Sequence, residues 1–158
     1  ILEDNLNNIL FLCIGDSNII GDSLGPLIGS FIKKNKSSIK RNINIEVIGT
    51  MEIPIGYKKI NNIIKNIEED TFIIMIDSAL GSENNIGKII IDSSNLCAGK
   101  GLNKGKYLNG DITIRGIVGK NHNNKTSNAI ELRNISANRI DSIACQIINT
   151  IIPFLFKV

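Results

Sequence analysis

The sequence predicts an α/β domain in which a largely parallel sheet is covered by helices on both faces. Two observations carry that expectation. ILFLCI (9–14) and TFIIMI (71–76) are apolar runs of strand length with little or no alternation, as expected for strands buried on both sides. Between and after them, apolar residues recur at helical spacing, so strands and helices alternate along the chain. Size agrees: 158 residues suit one domain spanning 1–158. At that length folding buries roughly 70% of the unfolded chain's surface, so no disulfide or metal staple is required.

ILFLCI is the first expected strand, and GDSNIIG follows it as a loop. Leu24, Leu27, Ile28, Phe31 and Ile32 then mark the apolar face of a helix. With Ser23 as N-cap, Pro26 falls in the first turn, where its missing N–H costs nothing. Asp22 then sits just outside the helix. INIEVIG (43–49) alternates and reads as a second strand. IPIGYKKINNIIKNIEED reads as a helix beginning near Pro54, with Ile60, Ile63, Ile64 and Ile67 on one face. TFIIMI is a buried strand that ends directly in Asp77. GKIII (87–91) and GDITIRGIV (110–118) are further strands, and SSNLCAGKGLNKGKYLNG between them reads as a long loop. GKNHNNKTSN, which carries the single histidine His122, reads as a polar loop. Ile140, Ile143, Ala144, Ile147, Ile148 and Ile151 make a closing helix that Pro153 should kink or end.

Composition narrows the function classes. A net charge of +3 with scattered lysines is too mild for a nucleic-acid partner. Aromatics are 4% of residues with no Trp, which weakens a base-stacking surface. No apolar run approaches the ~20 residues that span a bilayer, and ILEDNLNN carries no signal-peptide pattern. Cys13, Cys97 and Cys145 are odd in number and form no CxxC. Cys13 and Cys145 read as reduced core residues of a cytoplasmic protein.

Asp16, Asp22, Glu52 and Asp77 each follow an expected strand, where sites form in open α/β sheets. Asp77 has two readings of equal weight, a loop-forming residue or a functional carboxylate. Asp22 taken alone reads as a residue that complements a helix N-terminus. Asp16 reads as a turn residue, and Glu52 as a first-turn helix acid. Two carboxylates brought together cannot both ionise freely, so one can act as an acid while the other activates water. The same pair could hold a metal, but that wants a third ligand, and His122 sits in a polar stretch. Neither a metal nor another cofactor is expected. AGKGLNKGK does not match the Walker pattern, since five residues separate Gly99 from Gly105 and Tyr107 follows Lys106. A flexible loop is the better reading; if it is functional, a mobile flap beside the site is easier to support than a nucleotide cradle.

LCIGDSNIIGDSLGPLIG, VIGTMEIP, FIIMIDSALG, AGKGLNK and GDITIRGIVG occur in that order. Together they resemble a spore protease family of spore-forming Firmicutes, from about residue 9 to residue 119. That family is similar to the germination protease of spores and, more distantly, to hydrogenase maturation proteases. The resemblance implies a three-layer α/β/α fold with a mostly parallel twisted sheet, of the hydrogenase maturation protease-like kind. It implies catalytic roles for Asp22, in DSLGP, and Asp77, in IDSAL. In hydrogenase maturation proteases the corresponding acids bind a metal with help from a histidine, and this chain has none at a matching position. GDSNIIGD stands where the family has GTDRSTGD, so no role carries over to Asp16. Ser78 and Ala79 replace the family's usual Ala and Cys.

The leading expectation is a sporulation-associated peptidase. Asp22 and Asp77 would share a proton and activate water, Glu52 and Asn103 would help bind substrate, and the partner would be a protein or peptide, such as a spore protein. A non-catalytic spore scaffold or peptide-binding module fits the same motifs. A phospho-acceptor domain ranks third, because GDSLGP has no place in one.

Overall fold

The computed structural model describes residues 7–39, 42–93, 96–98, 106–108 and 111–155. The elements are β1 (Asn8–Cys13), α1 (Leu24–Asn35), β2 (Asn44–Ile48), α2 (Tyr57–Ile64), β3 (Thr71–Gly81), β4 (Ile89–Asp92), β5 (Leu96–Ala98), β6 (Lys106–Leu108), β7 (Ile112–Lys120), α3 (Lys125–Asn134) and α4 (Ala137–Leu155). The main sheet has the order β2-β1-β3-β7-β4. β2, β1, β3 and β7 run parallel, and β4 closes one edge antiparallel to β7.

Successive residues of the central strands go to opposite faces, which is why their sequence does not alternate. Ile9, Phe11, Cys13, Ile74 and Ile76 pack with Leu24, Ile28 and Ile32 of α1 and with Ile140, Ile143 and Ile147 of α4. Leu10, Leu12, Ile14, Ile73 and Met75 pack on the other side with Ile55 and with Ile60 of α2. These two cores make the three layers. α1 and α2 lie on opposite faces, so the winding reverses between β1 and β3. A crevice forms at such a reversal, beyond the carboxyl ends of the strands.

Several boundaries differ from expectation. The helix expected near Pro54 starts at Tyr57. Ile55 is captured instead as an extension of the sheet: it bridges Ile14 in parallel and accepts a hydrogen bond from Gly15 N at 2.9 Å. Glu52 is therefore not a first-turn acid but an exposed residue in the bend at 51–53. β3 does not end before Asp77. It runs on to Gly81 because β7 pairs with it that far, with a register shift between Ala79 and Leu80. Part of the expected long loop forms a two-stranded antiparallel ladder, β5 with β6, separate from the main sheet. α3 takes up only the last four residues of the stretch read as a polar loop, 125–128, and runs on to Asn134. It is opened by Asn124, whose side chain accepts from Ser127 N at 3.0 Å. Pro153 falls in the final turn of α4. Cys13 is buried as expected, but Cys145 is exposed. The buried stripe of α4 runs through Ile140, Ile143, Ala144, Ile147 and Ile151 and leaves position 145 outside it.

Candidate functional site

β1 stops at Cys13, and its pairing with β3 stops at Ile76. Asp77 is thus the first residue of β3 to emerge from beside β1, at the reversal point of the sheet. The chain leaving β1 turns back at Gly15 and winds through a 3₁₀ turn, Ile20–Asp22, before entering α1. A Cβ on Gly15 would stand 2.0 Å from the Asp22 carbonyl oxygen, so only glycine lets this turn close. Asp16 N donates to both the carbonyl of Asp22 (3.1 Å) and its Oδ2 (3.0 Å). Ser23 is the N-cap of α1 by position, yet its hydroxyl donates backward to Ile20 O at 2.7 Å. Neither it nor Asp22 caps the helix by a side-chain bond. Asp22 faces elsewhere: its Oδ1 accepts from Ser78 Oγ at 3.3 Å.

Asp77 is 6% exposed and lies on the α2 side of the sheet. Its Oδ2 accepts from the Tyr57 hydroxyl, and its Oδ1 from Ser78 N at 2.8 Å. Tyr57, the first residue of α2, is 44% exposed overall but turns its hydroxyl inward to the acid. Across β7, Arg115 stands directly opposite Asp77. Burial pushes the Asp77 carboxyl up to about 7, with a further upward push from the Asp22 charge. The Tyr57 hydroxyl, Ser78 N–H and Arg115 oppose that shift without cancelling it. Burial also raises Asp22, partly offset by its bonds from Ser78 and Asp16. Tyr57 is pushed well above its ordinary range, chiefly by burial and then by the adjacent Asp77 charge, so it remains a hydrogen-bond donor.

Asp22 and Asp77 thus come together at one end of the sheet, but through an intermediary. Ser78 joins them, its hydroxyl on Asp22 and its amide on Asp77. With its carboxyl near 7, Asp77 populates both protonation states at neutral pH and can take or give a proton there. Ile20, Met51 and Ile53 are exposed on the loops that leave β1 and β2.

Glu52 lies exposed in one of those loops, and Asn103 lies outside the described residues. Asp16 serves the turn, as expected of it. His122 does not approach the acids; its Nε2 meets Glu131 at 3.0 Å. A cavity of about 680 Å³ lies at the opposite end of β1 and β2, lined in part by Asn8, Asn44, Lys59 and Asn66.

Three site residues were not picked out from the sequence. Arg115 had a signal, a charged residue inside the apolar strand ITIRGIV. Ser78 was visible only as a departure from the family motif. Tyr57 had none, since helix entry at that residue depends on the bridge made by Ile55.

A metal does not fit this donor set. Asp77 is engaged by Tyr57 and Ser78, and Arg115 places a positive charge beside it. Among the described residues no three His, Cys, Asp or Glu side chains gather into a metal-holding group.

Comparison with known proteins agrees with this architecture. A solved [NiFe] hydrogenase maturation protease, HycI from Thermococcus kodakarensis KOD1, superposes with a TM-score of 0.59 over 96% of this chain and 94% of that one. At 16% identity this shows a shared fold. "Uncharacterized protein YyaC" of Bacillus subtilis (strain 168) is 34% identical over 114 residues, covering 70% of this chain and 53% of YyaC. The chain spans about half the length of that relative. No described helix is long and apolar enough to cross a membrane. A family model, "Protein of unknown function (DUF1256)", matches residues 1–150, and the chain belongs to that family.

Proposed function

We propose that the chain is a peptidase that hydrolyses an amide bond of a protein substrate with water activated at Asp77. The observation that carries this reading is the placement of Asp77: a carboxyl only 6% exposed at the reversal point of the sheet, with Asp22 hydrogen-bonded to the next residue, Ser78. Asp77 accepts a proton from water, and Asp22 with Ser78 holds the second charge and orients the water between them. The maturation-protease fold and the resemblance of DSLGP and IDSAL to germination-protease motifs support a protein substrate. The latter also supports a spore protein in a sporulating cell as that substrate.

One feature favours a second reading, a non-catalytic peptide-binding module. The Tyr57 hydroxyl occupies Asp77 Oδ2, one of the two oxygens a water would need. The deciding experiment is cleavage of a spore-protein extract by wild type, Asp22→Asn, Asp77→Asn and Tyr57→Phe, with and without a chelator. The peptidase reading expects cleavage by wild type that chelator does not affect. Losses of about 10²-fold or more are expected in each Asn variant. Tyr57→Phe stays active, because removing the hydroxyl frees the base. A folded wild type that cuts nothing, together with a silent Tyr57→Phe, favours the binding module.

A further inference from the structure

We propose that Arg115, with Thr113 beside it on β7, receives the oxyanion that forms on the substrate's acyl oxygen. This rests on the peptidase reading and assigns the half of the site that the two acids cannot supply.

The placement comes from register. Asp77 pairs with Arg115 across β3 and β7, so their side chains rise from the same face of neighbouring strands, about 4.8 Å apart. Thr113 lies two residues earlier on β7 and shares that face, opposite Met75. The Arg115 guanidinium reaches toward β4: its terminal nitrogen forms an ion pair at 3.8 Å with Asp92, the cross-strand partner of Thr113.

The second observation is unmet hydrogen bonding. Arg115 Nε and Thr113 Oγ1 are both buried, and neither has a hydrogen-bond partner among the described residues. Thr113 is only 2% exposed. Leaving such a group unpaired costs on the order of 1–3 kcal/mol, so two on one strand face are not incidental. Arg115 Nε–H can only donate and the threonine hydroxyl can donate, so their shared complement is an oxygen acceptor, best an anionic one.

The charge balance agrees. Water's oxygen forms a bond to the acyl carbon while its proton passes to Asp77. The carbonyl π pair moves onto the acyl oxygen. Negative charge leaves Asp77 and appears on that oxygen, and Arg115, whose terminal nitrogen is paired with Asp92 while its Nε–H is unpartnered among the described residues, stays beside it throughout. As the intermediate collapses, the C–N bond breaks and the proton on Asp77 passes to the leaving nitrogen.

The test is binding of dimethylphosphinate, a tetrahedral monoanion, to the ¹⁵N-labelled full chain. The readout is the Arg115 Nε–H NMR signal, assigned by its loss in Arg115→Lys. A saturable shift at millimolar concentrations is expected. Affinity should fall about tenfold in Thr113→Val and rise about threefold in Asp77→Asn, where a competing charge is gone. An Arg115 signal that does not move overturns the proposal. So does a shift indifferent to either substitution. Because the readout is independent of turnover, a chain that binds phosphinate in this way yet cleaves nothing sinks the peptidase reading and leaves the anion site standing.

Discussion

Asp77 receives help for its charged form from a hydroxyl, an amide and a guanidinium, and burial still outweighs all three. That has a consequence for stability. The native state holds the Asp77 proton more tightly than the unfolded chain does, where the ordinary value is 3.8. The stability this group contributes is therefore greatest below that value and is lost as pH rises toward about 7. Asp77→Asn removes the penalty. It should raise unfolding free energy by on the order of 2 kcal/mol at pH 8 and change it little at pH 4. Urea denaturation at the two pH values checks this; a variant weakened more at pH 8 than at pH 4 contradicts burial as the cause. Both acids were legible as candidates because a carboxylate next to an apolar run lacks an easy structural explanation. Their junction at Ser78 was not, because it depends on which way each side chain leaves β3.

Among the elements, α1 was legible from the spacing of Leu24, Leu27, Ile28, Phe31 and Ile32, and it forms where that spacing put it. How closely it lies on β1 was not. A Cβ on Gly25 would stand 2.2 Å from the Ile14 carbonyl oxygen, so the helix entry is pressed against the strand end. Gly25→Ala should cost about 1–3 kcal/mol in thermal or urea unfolding, despite alanine's better helix propensity. Gly56→Ala, where nothing lies within 4 Å, lacks that clash and should cost only the loss of an N-cap glycine, about 0.5–1 kcal/mol. α3 escaped detection because it buries no residue; its Asn124 N-cap and its packing on the Asp22 turn hold it. The reach of β3 to Gly81 escaped because it is set by β7, a strand that begins 31 residues later in the chain (112 − 81).

Across the whole molecule, β1 and β3 contribute alternate residues to both apolar cores. Neither core can open without exposing the strands that form the other. Met75→Ala on one face and Ile143→Ala on the other should each lower the unfolding free energy by about 2–5 kcal/mol while a single common transition is kept. Far-UV circular dichroism and tyrosine fluorescence should report that transition together; separate transitions would mean the two layers melt independently. The fold class was legible at this scale because buried parallel strands have an unmistakable composition. The order of the strands was not, since nothing local to β4 announces that it runs against the others.

Positions 77 and 78 point to opposite sides of β3, one toward Tyr57 and the other toward Asp22. A slip of β3 by a single residue along β7 would exchange them. The carboxyl would turn toward α1, and Tyr57 would face a serine. The chemistry of this site is thus written in strand alignment as much as in side chains. Substitutions far down β3 or β7 that loosen that alignment would silence it while leaving every polar residue in the sequence unchanged.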